Sequence, residues 1–492
     1  MRPPAILLTH SYYLEHDPKQ VRKMKPYPPL ATLITAAMLR RQGRDVALFD
    51  AMLASGEDEF ERVVDETRPG IVAIVEDNFN FLTKMCTTRM REATLAMIRA
   101  AKARGCRVAV NGSDAGDQPA TYLDAGADAV ISGEPEHTLA ELVNVWTDTG
   151  GEPGRVRGLV LRGDGAGPGN LLRTSPRPAI QELDELPFPA WDLVDVPRYR
   201  EAWVGAHGRL SWNMVTSRGC PYGCNWCAKP VFGRTYAQRS PANVADELRS
   251  LRDVVGPDHV WFADDIFGLT PRWIEAFADA VRTRDAVTSF SIQSRVNLMT
   301  PGAVEALAHA GCEEVWMGVE SGSQRVLDAM DKGSTVVQAR EATRRLRAHG
   351  MRACWFIQLG YPGEEWPEIL LTRDLLRDER PDDIGVSVAY PLPGTEFYRR
   401  VERQLGPERH WRTSEDLAML FRGTYSTPFY RAARDLLHDE VSAGPGADRG
   451  VLDVRWVELE RREPEFRSSA PTLPGIRDRV VGREEQTQVE QR

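Results

Sequence analysis

Apolar and polar positions fall into alternating blocks from the start of the chain. Short runs rich in Ile, Val, Leu and Ala, at Ala5–Thr9, Asp45–Phe49, Ile71–Val75, Arg107–Asn111 and Ala129–Ser132, read as strands buried on both faces. Between them lie stretches with apolar residues at helical spacing, among them Leu30–Gln42, Lys84–Arg104 and Glu136–Trp146. Five strands alternating with helices predict an α/β, doubly wound, flavodoxin-like sheet over residues 1–150. The ligand site of such a sheet lies at the carboxyl ends of the strands, near the topological switch point. No GxGxxG follows the first strand, which argues against a dinucleotide there.

Residues 151–205 break the alternation. Val156–Leu161 and Asn170–Arg173, set among Gly and Pro, predict a small β-hairpin, and the Pro-containing stretch Ile180–Trp191 predicts a linker. Over 206–405 the pattern resumes, with strands expected at Asn213–Ser217, His259–Ala263, Ser289–Gln293, Glu314–Val319, Ala353–Leu359 and Ile384–Tyr390. Helices are expected at Pro241–Val255, Pro271–Arg284, Pro301–Ala310, Val336–His349, Glu365–Arg377 and Thr395–Gln404. Six such units predict a partial (β/α)6 barrel, open on one side, with its chemistry on the loops after the strands. Residues 406–440 read as a helical C-terminal segment whose Trp411, Tyr425, Phe429 and Tyr430 either pack as core or line an apolar substrate site. Residues 441–492, where Gly, Pro and charge dominate, read as a flexible tail that includes Glu484–Arg492.

Composition narrows the class. A formal net charge of −9 with both signs interspersed, and no basic patch interleaved with aromatics, excludes nonspecific nucleic-acid binding. No apolar run approaches the ~18 residues of a membrane span, so no transmembrane segment is expected. Seven cysteines, three of them in one loop, predict reduced thiols and metal ligands in the cytoplasm rather than a disulfide framework.

That loop is Ser217-Arg218-Gly219-Cys220-Pro221-Tyr222-Gly223-Cys224-Asn225-Trp226-Cys227. Three thiolates this close can hold a metal centre but cannot complete a four-ligand structural zinc site alone. A four-iron cluster held by three cysteines leaves one iron open to a small molecule. Gly219, Pro221 and Gly223 favour a loop that wraps closely around such a cluster. Two plainer readings stand beside it: a zinc loop completed by a remote ligand such as His207, and three buried thiols with no metal. Cys86, Cys106, Cys312 and Cys354, set among apolar neighbours, are expected in the core.

The CxxxCxxC with Trp226 before its last cysteine resembles the signature of the radical S-adenosylmethionine (SAM) enzymes. The resemblance implies a [4Fe–4S] cluster on Cys220, Cys224 and Cys227, SAM on the open iron, and Trp226 near the adenine. Polar residues at three successive strand ends supply acceptors for an ammonium and for hydroxyls, and a cation for a carboxylate: Asp264 and Asp265, Ser294-Arg295, and Glu320-Ser321. By resemblance, Asp264 and Asp265 replace the family's Gly-Gly-Glu element, Glu320 and Ser321 lie near ribose and amino acid, and Arg295 lies near the carboxylate. Gly360 and Glu364 miss the family's GxIxGxxE spacing by one residue, and Glu364 is left without a role.

The N-terminal region resembles the cobalamin-binding domain joined to one large class of these enzymes. The resemblance rests on Tyr27-Pro28-Pro29-Leu30, on Gly112, Ser113 and Asp114 after the fourth strand, and on Gly133 and Glu134 after the fifth, all implied as cobalamin-binding. The Asp-x-His-x-x-Gly loop that gives other cobalamin proteins a cobalt ligand is absent. Leu8 and Tyr13 stand where its Asp and Gly would be, and His10 is expected off the cobalt.

The resemblance as a whole implies an enzyme that cleaves SAM to a 5′-deoxyadenosyl radical and modifies an unactivated carbon by methyl transfer. Ring closure, rearrangement or oxygenation, as in the anaerobic magnesium-protoporphyrin monomethyl ester cyclase class, is the alternative. A noncatalytic corrin-binding or iron–sulfur redox module is the reading from another class. The implied partners are a small-molecule substrate, apolar or lipid-like, and a low-potential electron donor such as flavodoxin or ferredoxin.

Overall fold

The computed structural model of the chain describes residues 5–149, 151–163, 170–227, 231–444 and 448–468. Two parallel sheets organise it. In the first, β1 (Ile6–Thr9), β2 (Val46–Phe49), β3 (Ile71–Val75), β4 (Arg107–Asn111) and β5 (Ala129–Ile131) run parallel in the order β2-β1-β3-β4-β5. This is the flavodoxin order, with its switch point between β1 and β3. The strands are near-continuous apolar runs because both faces are covered. Leu8, Ala73 and Val75 pack under the helices Leu30–Arg41 and Pro135–Asn144. Leu7, Val72, Ile74 and Val108 pack on the other face under Glu57–Thr67 and Thr87–Ala103.

The expected hairpin is present as β6 (Leu159–Arg162) and β7 (Leu171–Arg173), and it does more than link. β6 pairs antiparallel with β5, so the hairpin extends the first sheet to seven strands.

The second sheet holds β8 (Ser211–Met214), β11 (His259–Phe262), β12 (Ser289–Ser294), β13 (Cys312–Glu320), β14 (Arg352–Leu359) and β15 (Asp383–Val388). They pair in parallel in that order, leaving β8 and β15 as edges, so the six-unit sheet does not close into a barrel. A short ladder of β9 (Ser217–Arg218) and β10 (Ala237–Gln238) stands apart. The outer helices start on a repeated device, a Ser or Thr cap followed by Pro: Ser240 accepts from Asn243 N, Thr270 from Trp273 N and Thr300 from Ala303 N. One apolar core runs from Leu30 and Ile34 through Trp191 and Trp212 into the second sheet, so the two sheets pack as one body.

The C-terminal expectations need correction. Within 406–440 only Thr427–Ser442 is a long helix, and Gly406, Pro407 and Gly423 fall in an irregular stretch. The chain expected to be flexible beyond 441 forms the helix Gly450–Phe466. Its charges other than Glu463 lie on the outer face, while Leu452, Trp456 and Leu459 recur at helical spacing and are buried. Trp456 Nε1 donates to Glu440 at 2.8 Å, and Tyr425 donates to Glu463 at 2.5 Å. Residues 469–492, with the expected tail Glu484–Arg492, lie outside the described residues. Trp411, Tyr425, Phe429 and Tyr430 are buried core, and the Tyr425 and Phe429 rings lie 4.0 Å apart.

Candidate active site

The three cysteines of the 217–227 loop follow β9. At Gly219, φ is +77°, and a Cβ there would fall 2.0 Å from the Thr235 carbonyl oxygen, so only glycine fits against the returning chain. Cys220 and Cys224 are buried, Cys227 is half-buried, and all seven cysteines of the chain are free thiols. The core thiols Cys86, Cys106, Cys312 and Cys354 are buried as expected.

One side chain anchors the loop. Asn225, buried, donates from Nδ2 to Ala329 O and Asp331 Oδ2, both at 2.8 Å, and accepts from Tyr361 OH at 2.8 Å. Its backbone N–H donates to Met330 O at 3.1 Å, and its carbonyl accepts from Phe397 N at 3.0 Å. The loop is thereby tied to the segments after β13, β14 and β15. Among the described residues no three His, Cys, Asp or Glu side chains stand together as a ligand group, so the thiols share a loop without converging. The donor chemistry nevertheless fits an iron–sulfur centre: three soft thiols on one glycine-containing turn, with cations beside them.

Arg295, at the end of β12, is one of those cations. Its Nη1 lies 3.4 Å from Cys224 Sγ, Nη2 donates to the Lys332 carbonyl, Nε donates to Asn297 Oδ1 at 3.1 Å, and the guanidinium covers the Tyr222 ring 3.9 Å from its centroid. Lys332 is the other. Its Nζ donates to Glu320 Oε1 at 2.6 Å, with both groups buried, and stands 5.9 Å from the Trp226 ring centre. Glu320 itself sits at φ +66°, where β13 shifts register against β14. That left-handed backbone is rare for a side chain of this size and turns the carboxylate toward Lys332. Ser321 Oγ accepts from Ser323 N at 3.1 Å and lies 3.3 Å from Thr372 Oγ1.

Asp264 faces inward. Its carboxylate accepts from Thr216 N at 3.0 Å, from Thr216 Oγ1 at 2.8 Å and from Ser217 Oγ. Burial pushes its pKa up to about 6 in spite of these bonds. It fixes the segment that enters the cysteine loop. Asp265 is more exposed and lies 3.9 Å from Lys84 Nζ of the first sheet's side.

At the carboxyl ends of the first sheet, Gly112, Ser113 and Asp114 line a small pocket together with Glu76, Asn111 and Tyr122. A Cβ at Gly112 would meet Glu76 Cγ at 2.7 Å. Asp114 accepts from Arg91 Nε at 2.7 Å and from Arg91 Nη2 at 2.5 Å, and also from Tyr122 OH. Gly133 and Glu134 do not line that cavity. Glu134 turns toward the cysteine loop, where Arg218 Nη1 donates to its Oε1 at 2.6 Å. His10 has the carboxylate neighbour that its local sequence lacks. Its Nε2 donates to Asp50 Oδ1, 2.9 Å away at the end of β2, and Asp50 also accepts from Tyr199 OH at 2.7 Å.

Residues 214–376 match the family described as the Radical SAM superfamily. That stretch runs from the end of β8 into the helix Trp366–Glu379 and contains all three loop cysteines. Residues 214–376 are a radical SAM domain.

Likeness extends beyond the radical SAM domain. The chain is 28% identical over 435 residues to an uncharacterised methyltransferase of Pyrococcus horikoshii, covering 84% of this chain and 90% of that protein. It is 28% identical over 287 residues to the anaerobic magnesium-protoporphyrin IX monomethyl ester cyclase of Cereibacter sphaeroides, covering 56% of this chain but only 45% of that protein. The solved radical S-adenosylmethionine methyltransferase TsrM from Kitasatospora setae superposes with a TM-score of 0.64 at 19% identity, over 81% of this chain and 76% of that one, which shows a shared fold.

Around the radical SAM domain's cysteine loop the structure adds residues that sequence reasoning did not single out. Lys332 stands 12 residues from Glu320 across a helix, and no local pattern pairs them. Asn225 and Tyr222 lie inside the motif, yet spacing assigns them nothing. Arg218 offered one signal, a cation at the end of a buried strand, which requires a partner.

Proposed function

We infer that the chain is a cobalamin-dependent radical SAM enzyme that cleaves S-adenosylmethionine reductively and modifies an unactivated carbon by methyl transfer. The observation that carries this reading is the three-thiol loop of the radical SAM domain, held at the carboxyl end of an open parallel sheet, in a chain whose other sheet has flavodoxin order. Residues 1–150 are then the cobalamin-binding domain and 206–405 the radical SAM unit.

Cys220, Cys224 and Cys227 would hold a [4Fe–4S] centre, which supplies the electron that breaks the sulfonium bond of SAM. Trp226 flanks the adenine. Glu320, aimed by Lys332, and Ser321 accept from the ribose hydroxyls and the ammonium, and Asp265 adds a further acceptor. Asp264 keeps the loop's entry segment in place. Gly112 and Ser113 would lie beside cobalamin, which would supply the methyl group when bound. Asp114, already held by Arg91, shapes one wall, whereas Glu134, held by Arg218, lies outside the pocket lined by Gly112. The radical must be kept from water until the substrate arrives, and the buried surroundings of Glu320 and Cys224 serve that end. A low-potential donor of the flavodoxin or ferredoxin kind supplies the electron. Among the described residues no helix is long and apolar enough to cross a membrane. Seven free cysteines support a reducing, cytoplasmic setting.

Likeness to the magnesium-protoporphyrin cyclase favours a second reading, ring closure without methyl transfer. One experiment separates them. Reconstituted enzyme is incubated with methyl-deuterated SAM and an extract fraction holding the substrate. Methyl transfer puts label in a product and forms 5′-deoxyadenosine and S-adenosylhomocysteine in comparable amounts, because one SAM is spent on the radical and another on the methyl group. Product with 5′-deoxyadenosine alone, and no label, selects ring closure.

A further inference from the structure

Arg295 is buried, and all three guanidinium nitrogens and one face of the group are engaged within the protein. Nε is held by Asn297, Nη2 by the Lys332 carbonyl, and one face by Tyr222, which leaves Nη1 directed at Cys224 Sγ. Among the described residues no carboxylate pairs with it. A buried cation without an anion is costly, and a negatively charged group beside Nη1 would offset that cost. The atom already beside Nη1 is a cysteine sulfur. The planar fork is fixed by its contacts to Asn297, Lys332 and Tyr222, so it cannot swing to a distant carboxylate without breaking them.

We propose that Arg295 is a positioning residue for the iron–sulfur centre, donating to the Cys224 sulfur and setting the centre's reduction potential, rather than the partner of the SAM carboxylate. This rests on the reading that the three cysteines hold such a centre. Hydrogen bonds to the ligating sulfurs and nearby positive charge both stabilise the more negative, reduced state and so raise its potential. Tyr222 and Asn297 keep the guanidinium aimed. Lys332 accepts from Arg295 through its carbonyl and donates to Glu320 through Nζ, so one residue spaces the Cys224 sulfur from the Glu320 carboxylate.

The test is a redox titration in the absence of SAM. Reconstituted wild type, Arg295→Gln and Arg295→Lys are titrated anaerobically with dithionite, each centre accepting one electron with no bond made or broken, and the reduced centre is read by electron paramagnetic resonance. Arg295→Gln is expected to shift the midpoint to more negative potential. The expected size is about a tenfold lower reduced-to-oxidised ratio at fixed poise, about 59 mV for one electron. Arg295→Lys keeps the charge but not the fork, and its shift should be smaller. Should Arg295→Gln fail to take up iron, Asn297→Ala, which releases Nε without touching the cysteine loop, is expected to shift the midpoint in the same direction. Midpoints equal to wild type, with weakened SAM affinity in Arg295→Gln, would overturn the proposal and restore Arg295 to the SAM carboxylate. A wild-type chain that takes up no iron–sulfur centre would overturn the functional reading along with it.

Discussion

Arg218, two residues before Cys220, donates to Glu134 at 2.6 Å, joining the cysteine loop to the turn after β5. Its other amino nitrogen donates to Glu136 at 2.6 Å, and its guanidinium lies beside the stacked rings of Phe79 and Phe232, 5.6 and 5.5 Å from their centroids. All three charged groups are buried. Two carboxylates share one guanidinium, and burial holds the Glu134 carboxyl above its usual range although Arg218 pulls it down.

Removing the cation from this triad leaves two buried carboxylates without their partner. Arg218→Met is expected to cost roughly 3–5 kcal/mol, the usual penalty for breaking a buried pair from one side. Replacing Glu134 and Glu136 by Gln in the same chain should recover part of that loss, because the uncompensated charges are gone. Thermal unfolding of the cofactor-free chain measures both, and equal melting temperatures for wild type and Arg218→Met would remove the triad from the account of how the two sheets are joined.

The parallel strands of the first sheet were legible as short apolar runs, those of the second as apolar or alternating segments such as Ser289–Ser294, and five strands alternating with helices point to the flavodoxin order. The hairpin was legible too, but its pairing onto β5 was not, since register between strands distant in sequence leaves no local trace. The C-terminal helix was hidden for a different reason. The many charges of Gly450–Phe466 suggest disorder by composition, while its Leu452, Trp456 and Leu459 carry the helical period. In the candidate site, the cysteines announced themselves by spacing. The partners of the polar strand ends did not. Asp264 turns inward to Thr216 and Ser217, Glu320 finds Lys332, and His10 finds Asp50, all through contacts that only the folded chain creates.

Glu364 predicts a pH dependence. Its carboxyl is fully buried, Oε1 has no hydrogen-bond partner among the described residues, Oε2 accepts from Gly360 N at 2.5 Å, and burial raises its pKa to about 8. The native chain therefore keeps a proton that the unfolded chain releases near its ordinary value of 4.5. Between these values the folded state binds more protons, so stability falls as pH rises from about 4.5 to about 8, by up to about 5 kcal/mol in total. Glu364→Gln keeps the acceptor for Gly360 and cannot ionise. Denaturant unfolding at several pH values should show the variant losing less stability than wild type across this window, and parallel curves would contradict a neutral Glu364.

Lys332 predicts a separation of cluster binding from SAM binding. Lys332→Met leaves Glu320 buried and unpaired, but touches none of the cysteines. Loss of a hydrogen bond to a charged group costs about 1.5–3 kcal/mol, or roughly ten- to hundredfold in affinity. The variant should keep the iron content of wild type while SAM perturbs its reduced-cluster resonance signal only at much higher concentration. An unchanged SAM dependence would mean that Glu320 does not contact SAM.

Asn225 predicts how firmly the cysteine loop is held. Two donor bonds from Nδ2 and one acceptor bond at Oδ1 join it to Ala329, Asp331 and Tyr361, so the loop's geometry depends on a side chain that is not itself a ligand. Asn225→Ala leaves the Ala329 carbonyl one donor short, although Tyr361 OH still reaches it at 2.9 Å, and it strips Asp331 of one partner. The expected loss is about 1–3 kcal/mol of loop stability. Wild type reconstituted anaerobically should hold about four irons per chain on its three cysteines. Asn225→Ala should take up iron but release it faster to a chelator, and Asn225→Asp, which sets a carboxylate oxygen against the Asp331 carboxylate and the Ala329 carbonyl, should release it at least as fast. Replacing Cys220, Cys224 and Cys227 together by Ala should abolish uptake altogether. If Asn225→Ala held iron as long as wild type, the loop would owe its shape to the centre it binds and not to the segments after β13, β14 and β15.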